Sequence, residues 1–161
     1  MILAFKYRPD RADLADTAVS VWTRSAFVHV EVLIETPERL AIAARSGPNH
    51  AVVRDTWETA LAGSRWECYR VPVSSEADVR DFLLGQVGKA FNYPAIALSQ
   101  IYGLRLNHRQ AWFCSELAYV VCREFSGLAF PDVRPARVHP GRLRDYCLAV
   151  GCALINIDKE L

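Results

Sequence analysis

The sequence predicts a single α+β domain in which one antiparallel sheet is packed with helices. The chain has 161 residues, of which 52% are hydrophobic, and this is enough for one core but not for two. Several short segments rich in β-branched residues are typical of strands. Other segments repeat apolar residues every three or four positions, which indicates helices. We therefore expect residues 1–161 to form one domain.

The N-terminal part of the chain predicts a strand, a helix and a second strand. Residues 2–7 form a short apolar run that Pro9 ends. Asp13 is a suitable N-cap for a helix with one apolar stripe through about Thr23. Residues 26–34 predict a strand with two faces because successive side chains alternate. One face is aliphatic, and the other carries Phe27, His29, Glu31 and Leu33.

The middle of the chain predicts a meander followed by a helix. Residues 40–46, 50–55 and 65–73 predict three more strands, which we expect to continue antiparallel from residues 26–34. Ser75 and the acidic residue three positions later form a capping box for the next helix. The residues of that helix expected to face the core are Val79, Phe82, Leu83 and Val87.

The C-terminal part predicts three helices and a last strand. Residues 93–103 predict a helix or a pair of turns, and residues 104–110 a loop. Residues 112–125 predict a second helix that ends near Ser126-Gly127 and holds Cys114 in its first turn. A third helix starts at His139-Pro140, ends at Gly151 and precedes a strand over residues 153–157.

Composition and charge exclude several classes of function. The 19 basic and 18 acidic residues nearly balance, so no long-range field favours nucleic acid or an anionic membrane as partner. No apolar stretch is long enough to cross a bilayer, and we expect a cytoplasmic chain because no secretion signal is visible. The five cysteines lack C-x-x-C spacing, so we expect neither a disulfide framework nor a metal site. No cofactor and no oligomeric state are indicated.

Cys114 is the first residue with chemical potential. The free N–H groups and the positive end of the dipole at a helix start stabilise a thiolate. The same N–H groups can donate to an oxyanion formed on an attacked carbonyl. The commoner role of a cysteine in an apolar helix is that of an inert core residue, and we assign Cys68, Cys122, Cys147 and Cys152 to this role.

His29 and Glu31 are the candidate partners of that thiol. Same-face residues two positions apart on a strand lie roughly 6–7 Å apart at the backbone, so a glutamate can reach the imidazole. A base held by a carboxylate is what a cysteine nucleophile needs. Ser46 on a neighbouring strand is an alternative orienting group, and a lone strand histidine is more often structural. The other three histidines lie beside predicted turns or a helix start, where surface or capping roles are expected.

Two motifs carry a family resemblance. The segments Phe-Val-His29-Val-Glu31-Val and Trp-Phe-Cys114-Ser-Glu-Leu resemble the signatures of circularly permuted NlpC-type papain-like proteins, in particular the YiiX-like branch. In that family the strand histidine precedes the helix cysteine, as it does here. Weaker similarity at residues 88–93 and 139–143 extends the resemblance over residues 26–145. Phe91 departs from the family pattern, which has a tyrosine there.

The resemblance implies a Cys-His-Glu triad and an acyl-enzyme. Cys114 would be the nucleophile, His29 its base and Glu31 the orienting residue of a hydrolase or acyltransferase of peptidase or amidase type. The substrate would be a small amide or ester, such as a peptide, an amide conjugate or a lipid. The further candidates for substrate or oxyanion binding are Tyr93, Phe113 and Ser115. The alternative is a catalytically silent binding or assembly module on the same fold.

Overall fold

The computed structural model describes residues 1–9, 17, 20–21, 23–46, 50–91 and 111–157. Within these ranges, one sheet of eight strands carries four helices whose bounds are described, so the α+β class is confirmed. The strands are β1 (Ile2–Tyr7), β2 (Phe27–Ile34), β3 (Leu40–Arg45), β4 (Ala51–Thr56), β5 (Trp66–Arg70), β6 (Ala90–Phe91), β7 (Ala111–Trp112) and β8 (Ala153–Ile155). The helices are α1 (Trp57–Leu61), α2 (Glu76–Leu84), α3 (Cys114–Phe125) and α4 (Pro140–Ala149).

The order of the strands is β7-β6-β4-β3-β2-β1-β5-β8. Strands β2, β3 and β4 form the expected antiparallel meander. The prediction that β5 continues this meander is wrong, because α1 follows β4 and β5 pairs with β1 on the other side. The prediction of a wholly antiparallel sheet is also wrong. Strands β6 and β7 pair in parallel, so the sheet is mixed.

Both faces of the sheet are buried, as the alternation in β1 shows. Leu3 and Phe5 belong to the larger core cluster, which includes apolar residues of α3, whereas Ile2 and Ala4 belong to a smaller cluster on the opposite face. Period-two alternation sends neighbouring side chains to opposite faces, so each cluster takes every second residue. The aliphatic face of β2 is buried as predicted. Phe27 joins that face rather than the face of His29, because the β1–β2 register shifts at this end.

Two helix caps follow the sequence predictions. The Ser75 hydroxyl accepts a hydrogen bond from the Asp78 N–H at 3.2 Å, at the start of α2. At the start of α4, His139 Nδ1 accepts from the Arg142 N–H at 3.2 Å. Val87 is 38% exposed, and the expectation that it faces the core is wrong because α2 ends before it.

Two other predicted helices fall largely on residues outside the described ranges. Of the predicted N-terminal helix, only residues 17, 20–21 and 23 are described, and all four are helical. The predicted helix over 93–103 and the loop over 104–110 lie entirely outside the described residues. Across the described part of the chain, every helix is too short or too polar to span a lipid bilayer.

Candidate thiol–imidazole site

Cys114 is the first residue of α3 and directly follows β7 and Phe113. Phe113 is the N-cap and has extended backbone angles (φ −113°, ψ 162°), and its side chain makes no capping hydrogen bond. The first N–H groups of α3 therefore have no partner within the helix, and the positive end of the helix dipole lies at the thiol. Cys114 belongs to the larger core cluster and is 8% exposed.

The thiol of Cys114 meets the imidazole of His29. The two residues are far apart in sequence, but α3 packs against β2 and β3 and brings the helix start to the strand. Cys114 is both a hydrogen-bonding and an electrostatic partner of the His29 ring. The His29 side chain keeps 18% of its surface exposed. The structure thus brings together the two residues from which the sequence argument started.

Glu31 holds the far side of the same imidazole. His29 Nε2 and Glu31 Oε1 are 2.9 Å apart, which leaves Nδ1 as the ring nitrogen available to the thiol. Burial lowers the pKa of His29, but Cys114 and Glu31 outweigh it and raise the pKa to about 10. Burial raises the pKa of Glu31, but His29 and Arg45 outweigh it and hold that pKa below its ordinary value. Cys114 and Glu31 together favour the protonated imidazolium form of His29.

Arg45 is a member of this site that the sequence argument missed. Its Nε donates to Glu31 Oε1 at 2.7 Å, and its Nη1 contacts a carboxylate oxygen of Asp55 on β4. The sequence argument considered Ser46 as the group from the neighbouring strand. The neighbouring residue Arg45 lies on the correct face, because a shift of one position along a strand moves a side chain to the opposite face.

Aromatic and basic side chains lie beside the imidazole. The Trp66 ring packs edge-on against His29, with 6.4 Å between the ring centroids. Lys6 of β1 occupies the register position opposite both of these residues. Phe91, where the family pattern has a tyrosine, lies on β6 and pairs with Trp112, two residues before Cys114. Tyr93, a predicted substrate-binding candidate, lies outside the described residues.

The other two predicted oxyanion candidates are buried at the start of α3. The Ser115 hydroxyl donates to the Val138 carbonyl at 2.6 Å and is fully buried, so only its backbone N–H could face an oxyanion. The backbone N–H of Phe113 donates to the carboxylate of Glu116. This bond is the N3-to-N-cap half of a capping box. The Ser115 side chain and the Phe113 backbone N–H are therefore both engaged at the start of α3.

A Ser115→Ala variant should lose about 1–3 kcal/mol of unfolding free energy. The substitution leaves the buried Val138 carbonyl without its donor, and a buried polar group without a partner costs about that much. Urea unfolding followed by tryptophan fluorescence measures the change. Ser74→Ala is the matched control, because Ser74 is exposed and its hydroxyl bond to Phe125 is long, at 3.5 Å. Equal stability of the two variants would contradict the prediction.

The other cysteines have no such setting. All five are buried and form no disulfide, and burial raises the pKa of the Cys122 thiol. Hydrogen bonding between Cys147 and Cys152 raises the pKa of the first thiol and lowers that of the second. Within the described ranges, His, Cys, Asp and Glu side chains form no group of three or more that could hold a metal ion.

Comparison with known proteins adds no relative to this picture. No protein-family model matches the chain, and no curated protein matches its sequence. The residues of the site and their geometry therefore carry the functional assignment.

Proposed function

We propose that this chain is a thiol-dependent hydrolase or acyltransferase with Cys114 as nucleophile, acting on an amide or ester carbonyl. One observation carries the proposal: a cysteine at the first position of a helix interacts with an imidazole that a buried carboxylate holds from behind. Each part has a defined role in nucleophilic catalysis. The motif similarity to circularly permuted NlpC-type papain-like proteins supports the same assignment.

The reaction proceeds in two stages. His29 takes the proton of the Cys114 thiol, and the thiolate attacks the carbonyl carbon of the substrate. The tetrahedral intermediate collapses to an acyl-cysteine as the leaving amine or alcohol takes the proton from His29. Water or an acceptor amine then attacks the acyl group, gives its proton to His29 and releases Cys114, which recovers a proton. The charge on the carbonyl oxygen is met by N–H groups at the start of α3.

The surroundings of the site favour a small or extended acyl group. Cys114 is 8% exposed and the His29 side chain 18% exposed, so little room is open around the reacting atoms. Trp66 beside the imidazole offers an apolar wall. A short peptide, an amide conjugate or the ester of a lipid chain meets these conditions, since each presents a carbonyl on a slender chain.

Alkylation of the five cysteines tests the proposal without a known substrate. The protein is treated with iodoacetamide over a range of pH, and each site is quantified by peptide mass mapping. We expect Cys114 to react faster than the other four at neutral pH, with a rate that levels off because the imidazolium persists up to a pKa of about 10. The rate of an ordinary thiol should instead keep rising with pH up to its own pKa.

Cys152 is the stringent internal comparison in this experiment. It is 7% exposed against 8% for Cys114, so access to the reagent is matched, and the Cys147 thiol lowers its pKa. Cys68 and Cys122 are more deeply buried and give the background rate. If Cys114 reacts no faster than the background cysteines Cys68 and Cys122 at neutral pH, the activated thiolate does not exist. A catalytically silent binding or assembly module would then be the better reading.

A further inference from the structure

Glu31 uses one oxygen for two partners. Its Oε1 accepts from His29 Nε2 at 2.9 Å and from Arg45 Nε at 2.7 Å. The Glu31 side chain is 1% exposed, and its second oxygen is buried without a hydrogen-bond partner. A carboxylate removed from water in this way would ordinarily take up a proton, and the nearest proton is the one on His29.

Arg45 reaches Glu31 where the sheet opens. The β2–β3 pairing ends at Val32 and Ile42, whereas the β3–β4 pairing continues to Arg45 and Ala51. Counting on from the last β2–β3 pair places Arg45 opposite His29. Its guanidinium therefore bridges β2 and β3 beyond the last residues at which these strands pair. The contact of its Nη1 with Asp55 fixes its orientation.

We propose that Arg45 is a positioning residue that keeps the shared proton on His29 and off Glu31. The inference depends on the proposed function, because it assigns a role within the same site. A guanidinium does not lose its proton in proteins and so supplies a permanent positive charge. With Arg45 in contact, ionised Glu31 keeps a cationic partner whether or not the imidazole is charged.

The effect matters most at the acyl-enzyme stage. Once His29 has given its proton to the leaving group, the imidazole is neutral and no longer offsets the charge of Glu31. Arg45 still offsets that charge, so Glu31 remains ionised and accepts a hydrogen bond from the N–H at His29 Nε2. Nδ1 of His29 is then free to accept the proton of the incoming water or amine. Without Arg45, Glu31 would compete for that proton.

Several charged or titratable groups face the imidazole, and they come from different elements. Glu31 lies on its own strand, Cys114 on α3 and Arg45 on β3, and Lys6 holds the paired position on β1. Asp55 of β4 contacts Arg45. Since Glu31 contacts both His29 and Arg45, its ionisation should set the acid limb of the pH profile.

The test compares the pH profile of Cys114 alkylation in wild type, Arg45→Gln and Arg45→Lys. In Arg45→Gln we expect the acid limb to move upward by about one pH unit or more, which is the usual effect of removing a cation from a carboxylate. The loss of rate should appear on the acid side, where more of the proton resides on Glu31, and should fade toward neutral pH. Arg45→Lys keeps the charge and should hold the acid limb near its wild-type position.

Two controls separate this role from a merely structural one. Arg80→Gln removes the same charge from α2, where Arg80 pairs with Asp81 away from the site, and should leave the profile unchanged. Carbon NMR of the Glu31 carboxyl in the wild-type protein needs no variant. It should show a carboxylate that stays ionised below the ordinary pKa of a glutamate, and a carboxyl that protonates in the neutral range would overturn the inference.

The results of these experiments also separate the role of Arg45 from the proposed thiol-dependent activity. Loss of selective Cys114 labelling in the wild-type protein would contradict the proposed function. A second outcome is selective labelling in wild type together with an unchanged acid limb in folded Arg45→Gln. This result would be consistent with the proposed function but would contradict the role of Arg45. An acid limb that moves equally in Arg45→Lys would also contradict the role of Arg45, because the positive charge would then not be what sets the acid limb.

Discussion

His29→Ala should slow the alkylation of Cys114 at neutral pH by roughly 10- to 100-fold, because an ordinary cysteine is only a few per cent thiolate there. In the wild-type site the His29 pKa of about 10 keeps a positive charge beside the sulfur throughout the neutral range. The variant lacks both the proton acceptor and the charge that stabilises the thiolate. Only the small thiolate fraction of an ordinary cysteine then remains to react.

The matched control is His139→Ala, which removes a histidine from the start of α4. That variant should lose some stability with its N-cap but keep the labelling of Cys114. A second readout is acylation by an activated ester, in which intact mass should show one acyl group on wild type and none on Cys114→Ala. Wild-type labelling of Cys114 in folded His29→Ala would show that the imidazole is not its proton acceptor.

Local features of the fold could be predicted from local sequence. The helix start at Cys114, the strand faces of β2 and the caps at Ser75 and His139 each depend on a few neighbouring residues. Their physical causes are side-chain alternation and the unpaired N–H groups of a helix start. For the same reason the sequence could place His29 and Glu31 on one face, and the structure shows their contact.

The long-range pairing could not be predicted in this way. The pairing of β5 with β1 depends on the short helix α1, which takes the chain past the expected neighbour β4. The parallel pair β6–β7 consists of two residues on each strand, too few for a periodic signal. Arg45 was missed for a similar reason. Arg45 approaches Glu31 only in the observed β2–β3 register. That register is set by how the two strands pair across their connecting turn, which the alternation within each strand does not determine.

Glu116 is a buried carboxyl next to the proposed nucleophile. It is 3% exposed, and it accepts the backbone N–H of Phe113 while its other oxygen has no partner. Burial raises the pKa of Glu116 to about 7, and the hydrogen bond from Phe113 only partly opposes this. The folded protein therefore binds a proton at Glu116 more tightly than the unfolded chain does. Stability is then lost as pH rises from about 4.5 to about 7, where the folded carboxyl must ionise.

Glu116→Gln should remove this loss, because an amide does not titrate and its oxygen can still accept the Phe113 N–H. The stability of the variant relative to wild type should improve by about 3 kcal/mol between about pH 4 and about pH 8, since each pKa unit is worth about 1.4 kcal/mol. Urea unfolding at the two pH values measures it. Any fixed cost of burying the amide cancels in this difference, and so does the titration of every other group that is common to both proteins.

Glu124→Gln, an exposed site on the same helix, should show no such change. If the unfolding free energy of Glu116→Gln relative to wild type is the same at both pH values, the pKa of Glu116 is not raised in the folded protein. A partner at the start of α3 would then have to offset the burial of its charge.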